Sequence, residues 1–242
     1  MLPDKFYMPY TDDKRMNYAS DYLVNRGFTA AENADVADFI VLPVPTKQYM
    51  LDEYRGKLCF HGGGICANGF DYLKNEAYLL KNAYLTAEGA IACLEENTLY
   101  SLLNLNYLII GYGRIGKAFH SLLAPYSSSI TVCSRSKSSA VTEEFNGASH
   151  ISLEELKNKS GFDIVINTVP HIVLTKPELE ALKPSCVILD LASFPGGVDN
   201  LVANSLGITV LNGRGMPSRF TVKTAGELIG EAVIDIIEEE FA

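Results

Sequence analysis

The 242-residue sequence has no tryptophan, only 4 histidines, and 5 cysteines of which none lie in a C-x-x-C pair. Cys59, Cys66, Cys93, Cys133 and Cys186 are odd in number and widely spaced. This argues against a disulfide framework or a structural zinc site and predicts a reducing, cytoplasmic setting. No metal ligand set stands out. No segment approaches the ~18 apolar residues of a membrane span. Residues 1–15 carry Asp4, Asp12 and Asp13 with no cleavable apolar stretch, so neither export nor membrane association is expected. Positive charge is scarce as well, with 20 Lys and Arg against 29 Asp and Glu, a formal net charge of −9, and no long basic run. Nucleic acid and anionic membranes are therefore not expected partners. Such a chain binds anions only where backbone N–H groups or a few cations are concentrated. Its length and 48% hydrophobic content suffice for a large core in one or two domains.

What is present is an alternation. Between residues 106 and 213, Tyr107-Leu-Ile-Ile110 precedes an amphipathic stretch at 114–123, and Ile130-Thr-Val-Cys133 precedes one at 139–145. Ile164-Val-Ile166 precedes 176–182, Val187-Ile-Leu-Asp190 precedes 199–206, and Ile208-Thr-Val-Leu211 closes the series. Uniformly apolar strands, each followed by a helix, predict an α/β fold with a doubly wound parallel Rossmann sheet covered on both faces. Ser152-Leu-Glu-Glu155 and Thr175-Lys-Pro-Glu178 predict capping boxes, with Pro177 in the first turn of the second helix.

The first half predicts a second, smaller α/β domain of flavodoxin-like type, with strands at 5–8, 38–42, 58–61 and 78–80 and a helix over 14–25 ended by Gly27. Thr86 reads as the N-cap of a connecting helix. The expected domains are 1–85, a connecting helix at 86–100, a dinucleotide-binding domain at 101–220, and a C-terminal helix at 221–242 packed back on the first domain. That last helix carries Val222, Ala225, Leu228, Ile229, Val233, Ile236 and Ile237 on one stripe.

Gly111-Tyr-Gly-Arg-Ile-Gly116 follows a strand and opens a helix, the context in which G-x-G-x-x-G marks a dinucleotide site. Gly111 permits the tight turn, Gly113 lets a pyrophosphate approach, and Gly116 lets helix pack on strand. Arg114 and Ile115 lie in the first turn, whose N–H groups face the anion. The alternative is a glycine turn used for packing alone. The next strand ends Cys133-Ser-Arg-Ser-Lys137 with no acid before Glu143. Ser134, Arg135, Ser136 and Lys137 suit a ribose 2′-phosphate, so NADP is favoured over NAD, the alternative being a polar turn in an NAD protein. Ligands of open sheets lie outside the carboxyl ends of strands. That rule adds Asn167, Thr168, Val169, Pro170 and His171, then Leu191, Ala192 and Ser193, then the loop from Asn212 to Pro217. His171 reads either as a functional group or as a loop histidine capping the next helix. Asp190 reads as a buried structural carboxylate.

Thr86-Ala-Glu-Gly-Ala-Ile91, Gly111-Tyr-Gly-Arg-Ile-Gly116, Ile166-Asn-Thr-Val-Pro-His-Ile-Val-Leu-Thr175, Asp190-Leu-Ala-Ser-Phe-Pro-Gly-Gly197 and Lys223-Thr-Ala-Gly226 occur in that order. Together they resemble the successive motifs of the family of dipicolinate synthase A-type subunits. Ahead of residue 86 the resemblance is confined to the surroundings of Ile40-Val-Leu-Pro-Val44. It implies a two-domain NAD(P)-binding oxidoreductase that works with a flavoprotein-like B-type subunit during sporulation. The reaction it implies oxidises a dihydrodipicolinate from the lysine pathway to dipicolinate. A small anionic dicarboxylate is then the expected substrate and a homodimer an expected assembly. Aromatising a dihydropyridine needs a hydride acceptor, a base and cations for two carboxylates. The nicotinamide supplies the first, His171 has the right intrinsic pKa range for the second, and Arg214, Arg219 and Lys223 are candidates for the third. Lys223 stands where a helix prefers acids, which reads as a functional use or as a solvent-facing lysine. Two other readings stay open. A D-2-hydroxyacid dehydrogenase would need an Arg in the loop that here reads Leu191-Ala-Ser-Phe194 and a late His paired with an acid, whereas no His follows His171. A non-catalytic NADP(H)-binding protein is the other.

Overall fold

Each strand of the protein is short, and most are buried on both faces, so the sheets are read in sequence as apolar runs without alternation. In the computed structural model, which describes residues 3–125, 127, 129–135 and 147–241, the strands are β1 (Lys5–Tyr7), β2 (Thr29–Ala30), β3 (Phe39–Val41), β4 (Leu58–His61), β5 (Gly69–Asp71), β6 (Tyr107–Ile110), β7 (Ile130–Cys133), β8 (Ser149–Ile151), β9 (Ile164–Asn167), β10 (Val187–Asp190) and β11 (Thr209–Asn212). The helices are α1 (Arg15–Asn25), α2 (Gln48–Glu53), α3 (Glu76–Asn97), α4 (Arg114–Leu123), α5 (Leu153–Leu156), α6 (Lys176–Ala181), α7 (Asn200–Ser205), α8 (Met216–Arg219) and α9 (Val222–Phe241). The chain divides into one unit of Met1–Leu85 with Pro217–Ala242, and a second of Thr86–Met216. No helix among the described residues is long and apolar enough to cross a membrane.

The first unit is a five-stranded parallel sheet in the order β2-β1-β3-β4-β5. Phe6, Phe39 and Phe60 point to one face, where Met16, Ala19 and Leu23 of α1 meet Leu228, Ile229, Val233, Ile236 and Ile237 of α9. The Phe39 and Phe60 rings meet edge to face at 5.2 Å. Ile40, Leu42 and Cys59 point to the other face, covered by Met50 and Leu51 of α2. Close packing of α9 on α1 depends on two glycines. A Cβ at Gly226 would overlap the Arg15 carbonyl oxygen, and one at Gly230 would lie 2.8 Å from Tyr22 Cδ1.

Two local expectations are corrected by this unit and its neighbouring helix. Residues 78–80 form no strand but lie in α3, and Thr86 is no N-cap but a buried interior residue of that helix. The cause is Asn75, whose Oδ1 accepts a hydrogen bond from the Tyr78 N–H at 2.9 Å and so starts the helix at Glu76. Tyr78 then packs against Tyr72 in the core of the first unit.

The second unit is a six-stranded parallel sheet in the order β11-β10-β9-β6-β7-β8. The strand order reverses at β6 and β9, with Ile110 level with Asn167 on one side and with Cys133 on the other. Leu108, Ile110, Val165 and Ile188 pack against Leu156, Leu174, Leu179 and Ala203 on one face. Ser152 and Glu155 form the expected capping box. The helix expected at 139–145 falls outside the described residues.

Candidate functional site

In the second unit the carboxyl ends of β6, β7 and β9 converge on one cleft. Gly111 leaves β6 with φ of +91°, a conformation glycine adopts without a steric penalty. A Cβ there would overlap Thr168 Oγ1. The Thr168 hydroxyl donates to the Ile110 carbonyl at 2.9 Å and so fastens the turn to the end of β9. A Cβ at Gly116 would overlap the Gly111 carbonyl oxygen, so only glycine lets α4 seat against the turn. Gly113 differs from both, because a Cβ there would meet nothing within 4 Å. The turn is therefore open at Gly113 and closed at the other two glycines. The N–H groups of the α4 first turn, at Arg114, Ile115 and Gly116, are those that helix geometry directs to partners outside the helix. Three glycines with these three environments fit a dinucleotide pyrophosphate.

The cleft beside this turn has a volume of about 330 Å³ and is lined by Ile110, Gly111, Tyr112, Cys133, Ser134, Arg135, Leu153, Val169, His171 and Val173. Ile110, Leu153, Val169 and Val173 give it apolar walls suited to a flat ring. Ser134 and Arg135 supply the polar rim at the end of β7. The Ser134 hydroxyl lies 3.3 Å from His150 Nε2 of β8, which stands behind that rim residue. Ser136 and Lys137 lie outside the described residues. His150 and Leu153 are not marked as site residues by the sequence, because β8 is three residues long and α5 four. The spacing from the capping box at Ser152 is the one signal that points toward them.

His171 is exposed and borders this cleft. It does not cap the following helix, because Thr175 and Glu178 do so: the Thr175 N–H and hydroxyl both donate to Glu178 Oε2, at 3.0 and 2.6 Å. Asn167 is fully buried. Its Nδ2 donates to Asp190 Oδ1 at 2.8 Å and to the Val169 carbonyl at 3.0 Å, so its side chain shapes the loop. Pro170 is exposed beside His171. Asp190 is a structural carboxylate, accepting also from the N–H groups of Ala192 at 3.2 Å and Gly197 at 3.0 Å. It thereby fixes the loop holding Leu191, Ala192 and Ser193, which follows β10 and is not among the residues lining the cleft. Arg214, after β11, donates from Nε to the Ala192 carbonyl at 3.0 Å, with its guanidinium 5.9 Å from the Phe194 ring centroid.

The remaining predicted cations belong to the first unit. Lys223 is exposed, with Nζ 3.9 Å from Glu227 Oε1 one turn along α9. That pairing offsets its unfavourable place in the helix dipole. Arg219 lines a cavity of about 800 Å³ formed by the loops after β1 and β3 together with the residues leading into α9. Lys14, Arg15 and Lys47 line it as well. Arg15 is held by Asp13, with Nη2 2.7 Å from Oδ2, and donates to the Val44 carbonyl at 2.5 Å. Burial opposes its charge, but the hydrogen bond and charge of Asp13 prevail and raise its pKa above the ordinary value.

Comparison with known proteins accords with this geometry. The family of D-isomer specific 2-hydroxyacid dehydrogenase NAD binding domains matches residues 81–193. The A-type subunit of dipicolinate synthase from Bacillus subtilis (strain 168) is 31% identical over 159 residues, 65% of this chain and 54% of that protein. The match thus spans about half the length of that relative. The crystal structure of the corresponding dipicolinate synthase chain from Bacillus subtilis superposes with a TM-score of 0.84 at 23% identity, covering 99% of this chain and 97% of that one. Its counterpart from Bacillus halodurans gives 0.83 at 19% identity, covering 98% and 99%. The chain is thus similar to the dipicolinate synthase A-type subunit in sequence and fold, and its residues 81–193 match the family of D-isomer specific 2-hydroxyacid dehydrogenase NAD binding domains.

Proposed function

We propose that the protein is an NADP-dependent oxidoreductase that oxidises a dihydrodipicolinate to dipicolinate, acting with a second, B-type subunit, as its relative's designation as one subunit of a synthase suggests. The observation that carries the cofactor half of this reading is the glycine turn, open at Gly113 and closed at Gly111 and Gly116. The choice of NADP rests on the end of β7, where Ser134 and Arg135 stand in place of the carboxylate that would hold a ribose 2′-hydroxyl. A carboxylate there would repel a 2′-phosphate, whereas a hydroxyl and a guanidinium hydrogen-bond it.

When bound, the nicotinamide ring supplies the hydride acceptor. The residues of this chain do the rest. Asn167 and Asp190 hold the loops after β9 and β10 through their mutual hydrogen bond. His171, exposed at the cleft and without a capping duty, takes the proton that leaves the dihydropyridine ring as it becomes aromatic. Balance is kept: the ring loses a hydride and a proton, and its two carboxylates are unchanged. A D-2-hydroxyacid dehydrogenase activity is disfavoured because the loop from Leu191 to Phe194 carries no arginine and no histidine follows His171.

The test supplies the dihydropyridine dicarboxylate and NADP⁺, with and without a B-type partner, and follows the ultraviolet absorption of dipicolinate. Product is expected, and the His171→Gln variant should retain cofactor binding while its turnover falls by about 10²-fold or more. Absence of product in both mixtures, with cofactor bound, would reject the reaction. Full turnover by His171→Gln would remove that residue from it.

A further inference from the structure

The first unit has the strand order 2-1-3-4-5, and in open sheets of this kind the ligand crevice opens where the order reverses, between the first and third strands. The cavity of about 800 Å³ lies at that place, walled by the loops after β1 and β3. We infer that this cavity binds the carboxylates of a small ring-bearing anion, through Lys14, Lys47 and Arg219, with Tyr10 and Tyr49 lying against the ring. This site rests on the dicarboxylate chemistry proposed above.

Three observations support it. The first is charge. Lys14, Arg15, Lys47 and Arg219 line the cavity against Asp12 and Asp13, in a protein whose formal net charge is −9. Asp13 is consumed by Arg15, bonded from Nε at 2.9 Å and from Nη2 at 2.7 Å. Neither Lys14 nor Lys47 has an acidic partner among the described residues. Local concentration of cations in a concave surface is how an acidic protein holds an anion. The second is rigidity. Arg15 ties the two loops together by its bond to the Val44 carbonyl at 2.5 Å, and Tyr72, fully buried beneath, donates to the Leu42 carbonyl at 2.8 Å. The lysines are thus mounted on loops whose backbones are fixed. The third is exposed aromatic surface. Tyr10 is 92% and Tyr49 69% exposed, both at this cavity, where a flat ring would recover the apolar area they leave in water.

The experiment is calorimetric titration of the full chain, with and without NADP⁺, using pyridine-2,6-dicarboxylate, glutarate and inorganic phosphate as separate probes. Lys14 and Lys47 are exposed, so Lys14→Met and Lys47→Met should fold, which melting temperature verifies. The pyridine dicarboxylate should bind wild type, with affinity falling about tenfold in each variant and further in the double variant. NADPH binding should be unchanged in all of them. Tyr10→Ala with Tyr49→Ala should weaken the pyridine probe and leave glutarate unaffected. Glutarate binding that depends on the lysines, without any response to the pyridine probe, upholds the carboxylate site while sinking the ring substrate of the proposed reaction. The site is overturned if no dicarboxylate binds, if the lysine variants bind as wild type does, or if phosphate alone shows the lysine dependence.

Discussion

Gly113 and Gly116 stand three residues apart in the same turn, yet the structure gives them opposite tolerances. Gly113 is extended, with φ of −79° and ψ of −164°, and its missing side chain faces open space. Gly113→Val should therefore fold as wild type does and weaken NADPH by about tenfold or more, because its methyl groups occupy the room left for the pyrophosphate. Gly116→Val puts a Cβ against the Gly111 carbonyl and should cost about 3 kcal/mol or more of stability, read as a lower melting temperature. Paired dye-melting and fluorescence titrations of the two variants separate these effects. The motif and its register are legible in the sequence because G-x-G-x-x-G is a local code. The duty of Asn167 is not: its amide is spent on Asp190 and Val169, and Asp190 is brought to it by strand register rather than by sequence neighbourhood. His171 is ambiguous in sequence between two roles, and the structure removes the capping one, because Thr175 and Glu178 complete the cap themselves.

At the scale of elements, strands that lie within apolar runs are readable, including β1 and β3 of three residues each, whereas β2, β5 and β8, as short or shorter, form no apolar run that would show a pattern. The apolar run at 78–80 misleads. Three residues cannot distinguish a strand from one face of a helix, and Asn75 decides the matter by capping the backbone at Tyr78. The cavity of the first unit is hidden in sequence because the loops after β1 and β3 carry no glycine signature, and Lys14, Lys47 and Arg219 are far apart along the chain. Packing of α9 on α1 yields a test at this scale. Gly226→Val would drive a side chain against the Arg15 carbonyl and should lower the melting temperature, with a loss of about 2 to 4 kcal/mol. Unchanged melting would contradict the close contact between these helices.

For the molecule as a whole, stability depends on pH through His120. It is buried on α4 with Nδ1 2.7 Å from the Tyr112 hydroxyl, and burial lowers its pKa below the ordinary value of 6.5. As pH falls through about 6.5 the unfolded chain takes up a proton that the folded chain refuses, so stability declines with acidity until the folded pKa is reached. The wild-type melting temperature should fall between pH 7.5 and 5.5 by more than that of His120→Gln, in which the titrating ring is absent. Equal slopes would contradict the burial of a neutral imidazole. Everything proposed for the reaction depends on nicotinamide dinucleotide binding in the cleft of the second unit, and the chain has no tryptophan background to obscure it. The measurement is the fluorescence of reduced nicotinamide on titration with NADPH and, separately, NADH. A saturable enhancement is predicted, at lower concentration for NADPH than for NADH, and lost in a normally folded Gly113→Val. A tighter response to NADH would overturn the role given to Ser134 and Arg135, and no saturable response to either dinucleotide would contradict the cofactor site itself.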